Sequence, residues 1–146
     1  MIVAIAVLLT CVLSNRETNL ILQNPYSGET YAVFHVEEGA RFSISFIHSV
    51  NKTPVTDIYE IWDKNIYAVE TRYYSFGAGM PTEIEEGQTL TYSEDGAMVV
   101  SGMNKPMSGM IWVVGKIYDH SLEIDGRVYS LTELCGKGCP VEFVCK

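Results

Sequence analysis

Phe42 to Ile61 is the stretch that most narrows what this chain can fold into. It reads as two alternating segments around a polar loop that carries Pro54. A β-strand sends successive side chains to opposite faces, so residues two apart share a face. The first segment puts Phe42, Ile44, Phe46 and then His48 on one side, with Arg41, Ser43 and Ser45 on the other. The second puts Val55, Asp57, Tyr59 and Ile61 together, although Ile58 and Trp62 blur the pattern. The expected unit is a hairpin, with His48 and Asp57 in the apolar phase of their strands, both beside the connecting loop and at the same end of the sheet.

The same alternation recurs down the chain. Leu20 to Leu22, Tyr31 to Val36, Ile66 to Tyr74, Gln88 to Ser93, Ala97 to Ser101, Met110 to Val114, Leu122 to Ile124, Arg127 to Leu131 and Val141 to Cys145 all read as strands. Asp125-Gly126 between two of them is a strong hairpin signal, because both central residues of that turn need positive φ. Asp63-Lys64-Asn65 looks like another tight turn. No stretch after the N-terminus repeats apolar residues at helical spacing for more than two turns. Sixteen aromatic residues (nine Tyr, five Phe and two Trp) suit such a protein. The expected fold is all-β: an antiparallel β-sandwich or partly closed barrel, preceded by a short N-terminal hydrophobic helix.

Two units follow: an N-terminal hydrophobic anchor or signal segment over 1–14, and a single β domain over 15–146. The apolar run Ile2 to Leu13 is shorter than the ~20 residues a full membrane helix needs. An uncleaved anchor is the favoured reading. A signal peptide, a lipobox ending at Cys11 and a buried first strand are the alternatives. The membrane readings place Asn15 onward outside the cytoplasm, either membrane-anchored or secreted. Net charge is -8 and the basic residues are scattered singly, which argues against nucleic acid as a partner. No cofactor motif stands out.

Three candidate sites carry ionisable or reactive groups. His48 and Asp57, with Ser49 and Lys52 in the adjoining loop, form the first; His120 enters a later apolar face with Asp119 beside it. Two histidines and an aspartate suit a metal ion or a polarised water. The spacing matches no ligand motif, and a buried polar network that fixes the fold is the preferred explanation. The second is Tyr74-Ser75-Phe76-Gly77-Ala78-Gly79-Met80-Pro81, where Gly77 and Gly79 allow backbone N–H groups to converge on an anion. An irregular crossover between two strands is the preferred explanation, and Ser75 lacks the Gly-x-Ser-x-Gly elbow of a serine hydrolase. The third is Cys135-Gly-Lys-Gly-Cys139, close enough to form a disulfide in an exported protein.

Phe42-x-Ile44-x-Phe46-Ile47-His48-Ser49-Val50-x-Lys52-Thr53-Pro54-Val55, then Tyr74-x-Phe76-Gly77-Ala78-Gly79-Met80-Pro81, then Val114-Gly115-x-x-x-Asp119-His120 together resemble a bacterial family designated domain of unknown function 1850. Its members are small, exported or membrane-anchored proteins. They are often encoded beside the fused permease of TAXI-type tripartite ATP-independent periplasmic transporters. The resemblance implies an accessory role that touches the permease or the solute-binding protein. Its surface would run from His48 to Lys52, Gly77 to Pro81 and Asp119-His120. A hydrolase or metal-binding enzyme built on the His/Asp cluster is the alternative. The short hydrophobic segment and the Cys135–Cys139 loop depart from the family pattern.

Overall fold

The computed structural model describes residues 18–76 and 83–146. The hydrophobic segment 1–14 expected to form a helix, and Gly77 and Gly79, lie outside the described residues. The described residues form eleven strands and one short helix, in order. They are β1 (Thr18–Gln23), β2 (Thr30–Val36), β3 (Arg41–Ile47), β4 (Pro54–Trp62), β5 (Asn65–Tyr73) and β6 (Thr89–Tyr92). Next come β7 (Met98–Pro106), β8 (Ile111–Val113), β9 (Ser121–Ile124), β10 (Arg127–Ser130), α1 (Leu131–Cys135) and β11 (Pro140–Cys145). Among the described residues no helix is long and apolar enough to cross a membrane.

The strands form two antiparallel sheets, ordered β2-β1-β11-β8 and β10-β9-β3-β4-β5-β7-β6. Of the two architectures expected, a sandwich or a partly closed barrel, the described residues form two open sheets and no closed barrel. The turns form where their residues demand. Asp63 and Lys64 take φ of 48° and 59°, and Asp125 and Gly126 take 50° and 68°. These left-handed values belong to two-residue hairpin loops that match strand twist. Ser130 ends β10 by accepting the Glu133 N–H at 3.0 Å, which starts α1.

One core cluster lies between the sheets. Leu20, Leu22, Val141 and Phe143 of the small sheet meet Phe42, Ile44, Tyr59, Ile61, Leu122 and Ile124 of the large one. Phe42 stacks on both Tyr59 and Phe143, at 5.0 and 5.8 Å. Burying each such side chain contributes about 1.5–3 kcal/mol, enough to lock the alternating phase of its strand. A smaller cluster of Val55, Tyr73, Met98 and Val100 continues along the large sheet. Asp57 sits in the row Leu122–Ile44–Asp57–Thr71–Val100–Leu90 that crosses six strands. The hairpin reading of β3 and β4 therefore holds, and Asp57 does enter the apolar face.

The register also fixes the ends of the domain. Cys145 pairs with Leu20, and the Asn19 N–H donates to the Lys146 carbonyl at 2.8 Å. At the other end of β11, Pro140 pairs with Val113, and the Val114 N–H donates to the Cys139 carbonyl at 3.0 Å. At ~3.3 Å per residue, the Thr18 end and the Val114 end lie roughly 20 Å apart.

Candidate functional site

Two connections meet at the Val114 end: the β3–β4 loop and the segment from Val114 to His120. The β3–β4 loop is closed by two backbone bonds, from the His48 N–H to the Thr53 carbonyl and from the Lys52 N–H to the His48 carbonyl, each 2.9 Å. Nδ1 of His48 accepts from the Val50 and Asn51 N–H groups, both at 3.3 Å. The ring thus does for this loop what an Asn or Asp side chain does in a turn. Lys52 completes the loop with φ of 56°, a left-handed conformation that costs a non-glycine residue on the order of 1 kcal/mol. It carries the ammonium over the Tyr118 ring, 5.6 Å from the centroid, within cation–π range.

His120 is held from below. The Trp112 indole N–H donates to its Nδ1 at 2.8 Å. An indole only donates, so Nδ1 is unprotonated and the ring proton sits on Nε2. Burial lowers the ring's affinity for a second proton, and Asp119 next door opposes that shift without cancelling it. Phe46 completes an aromatic floor, 5.5 Å from the Trp112 ring and 5.4 Å from His120. Gly115 lets the segment close tightly over it. A Cβ there would lie 2.1 Å from the Tyr118 carbonyl oxygen and 2.7 Å from Nε2 of His120. No side chain fits at 115 without opening the loop.

Between these connections lies a cavity of about 190 Å³ bounded by Ile47, Ser49, Lys52, Lys116, Tyr118 and His120. Around it Ile117 is 82% exposed, Val50 67% and Tyr118 40%. The second motif approaches the same loop. The Ser75 and Thr53 hydroxyls share a hydrogen bond of 3.2 Å, and the Asn51 amide donates to the Phe76 carbonyl at 3.4 Å. Thus Ser49, Lys52 and His120 border one cavity, with His48 and Ser75 supporting the β3–β4 loop. A larger hollow of about 510 Å³ lies on the outer face of the large sheet, around Ser45, Thr56 and Arg72. Its arginines are taken up by carboxylates, Arg41 by Glu60 at 2.6 Å and Arg72 by Glu70 at 2.7 Å. We favour the smaller cavity as the site because the sequence motifs build it.

Other expected members stand apart. Asp57 pairs across from Ile44, while the strands part only after Ile47 and Pro54. That sets Asp57 about four residues, roughly 13 Å, below His48 along the strand. It cannot fix the His48 tautomer. Its carboxylate instead accepts from Thr71 Oγ1 at 2.6 Å. Burial raises its pKa; the Thr71 hydrogen bond pulls the other way and loses. Asp119 turns from the cavity and accepts the Thr132 N–H of α1 at 3.0 Å. Burial pushes its pKa up, but hydrogen bonds from Ser130 and Thr132 outweigh this and hold it below the usual carboxylate range. His48, Asp57 and His120 therefore serve three separate local arrangements. Among the described residues no three His, Cys, Asp or Glu side chains are placed to hold a metal ion. The Ser75 hydroxyl meets the Thr53 hydroxyl, which is no base.

Cys135 and Cys139 are free thiols in this structure, rather than the bridge expected of them. Cys135 lies on the buried side of α1, and burial followed by the neighbouring Cys139 pushes its thiol up to about 11. Such a thiol is a poor nucleophile near neutral pH.

Nothing in the sequence marks Trp112 or Thr71 as a site residue. Each is the partner that explains a buried polar group. A buried His or Asp needs a hydrogen-bonding neighbour, but the neighbour's identity depends on pairing across sheets.

An all-β sandwich with a basic, motif-built cavity at one end is the class these features define. The chain belongs to the family described as Domain of unknown function (DUF1850), whose model matches residues 42–131. That span begins in β3 and ends at the first residue of α1, so it holds both connections around the cavity. No curated protein and no solved structure matches the chain.

Proposed function

We propose that this chain is an extracytoplasmic accessory domain, held at the membrane by its N-terminal hydrophobic segment, that assists a TAXI-type tripartite ATP-independent periplasmic transporter by binding rather than catalysis. The observation that carries this reading is convergence. Segments from Ile47 to Lys52 and from Gly115 to His120, about 65 residues apart in sequence, enclose one cavity with an exposed apolar rim. The groups there are spent on loop geometry and aromatic contacts, with no nucleophile–base pair among them.

Domain polarity supports the same reading. Thr18 enters the fold at the end opposite the cavity. A domain tethered through the residues before Thr18 would hold the cavity away from the bilayer, where the permease's outer loops or the solute-binding protein would meet it. The test is affinity capture of the full chain from detergent-solubilised membranes. Recovery of the permease or the solute-binding protein is expected, with recovery lost on replacing Ile117 by Asp. Capture that recovers neither would overturn the reading.

A further inference from the structure

We infer that the cavity between the β3–β4 loop and Gly115–His120 binds a small carboxylate bearing a short apolar tail. The inference rests on taking this end as the working surface.

Size comes first. About 190 Å³ is below the range of pockets for drug-sized ligands, so the occupant has only a handful of heavy atoms. Charge comes second. The chain carries 18 acidic residues against 10 basic ones. Yet two lysines, Lys52 and Lys116, border this cavity, and among the described residues no acidic side chain does. Asp119, the nearest acid in sequence, is engaged with the start of α1. A cavity of this sign in a chain of the opposite sign is complementary to an anion.

Donor geometry is third. His120 is fixed with Nδ1 accepting from Trp112, which leaves Nε2 as an N–H donor beside Gly115 at the cavity wall. One directed N–H and a nearby ammonium match the two oxygens of a carboxylate. Ile47, Ile117 and the Tyr118 ring supply apolar walls for the tail. Phosphate fits less well, because among the described residues no arginine fork borders the cavity. Lys52 is also held in a left-handed conformation that glycine adopts more easily, so the ammonium is placed there against local preference.

The test uses the full chain, with ¹H–¹⁵N and methyl NMR titrations of sodium butyrate, butyramide and inorganic phosphate. Butyrate is expected to move the His120 ring and Ile117 methyl signals saturably, with a dissociation constant of about 1 mM or tighter. Butyramide and phosphate should bind at least tenfold more weakly. Lys52→Gly keeps the left-handed loop and removes the ammonium, and should weaken butyrate at least tenfold. Lys64→Gly, a matched change at a left-handed lysine in the β4–β5 turn, should leave binding unchanged. A tetrapeptide with a free C-terminus, run beside its amide, separates the two sources of such a carboxylate. Binding tighter than butyrate assigns a partner's chain end; weaker binding assigns a free solute. Absence of saturable butyrate shifts, equal binding of butyramide or phosphate, or equal loss in Lys64→Gly overturns the proposal. Capture reads recovery of transporter components and the titration reads butyrate binding, so either result can fail while the other stands.

Discussion

Asp57 and His120 both enter apolar faces, yet burial drives them in opposite directions. Asp57 lies mid-sheet between two apolar clusters, with Thr71 as hydrogen-bond donor. Its pKa is raised, so the native state binds that proton more tightly than the unfolded chain does. Its contribution to stability is full below the ordinary carboxyl range and is lost as pH rises through the raised value. His120 lies at the end of the sandwich with its pKa lowered. Its contribution is full above the ordinary imidazole range and is lost as pH falls through the lowered value. The middle of the sheet tightens in acid, then, while the cavity end loosens. The first region is a cost the core absorbs; the second is a neutral donor held ready at a surface.

The largest effect expected is at the cavity floor. Trp112→Ala removes the indole from Phe46 and His120 and leaves Nδ1 without its donor. A loss of about 3 kcal/mol in urea unfolding at neutral pH is expected. A loss under about 1 kcal/mol would mean that the floor is not part of the fold's support.

Asp57→Asn should act with the opposite sign. The amide can still accept from Thr71 and carries no charge to bury. Calorimetry should show Tm raised by about 2–5 °C at pH 7, with the gain shrinking as pH falls and the Asp57 carboxyl takes up its proton. A variant less stable at both pH values would show Asp57 to be a needed anion and erase the contrast.

At the loop the effects are smaller. His48→Ala removes the acceptor for two backbone N–H groups and should cost about 1 kcal/mol. His48→Asn should restore most of it, because an amide oxygen caps such a loop equally well. Failure of Asn to rescue would point to a use of the imidazole beyond capping. Lys52→Gly should change stability least, within about 0.5 kcal/mol. Relief of the left-handed strain is offset by the extra freedom of the unfolded chain.

Local chemistry was legible in the sequence. Asp125-Gly126, Asp63-Lys64 and the alternation through Phe42 to Ile61 each give the turn or strand they suggest, because backbone sterics and face burial act over a few residues. The β3–β4 loop was legible as a site for the same reason. Three things were not. The separation of His48 from Asp57 follows from counting register upward from the Ile47–Pro54 pair, and the shared phase concealed it. β7 runs on to Pro106 past Gly102, whose φ of 74° and close approach to the Gly87 carbonyl mark a bulge instead of an end. Leu131 reads as strand by alternation, but Ser130 and Glu133 form a helix start that takes it into α1. The order β2-β1-β11-β8 brings together the first and last of the described strands, and no local pattern encodes that.

We propose that the cavity end is the surface that meets the transporter. Site-specific photo-crosslinking in intact membranes tests it most directly, with the probe at Ile117 or at Val33. Both positions are exposed, and Val33 lies on β2, at the opposite edge of the small sheet from β8. The prediction is an adduct with the permease or the solute-binding protein from Ile117 and none from Val33. Adducts from Val33 with none from Ile117 would contradict it.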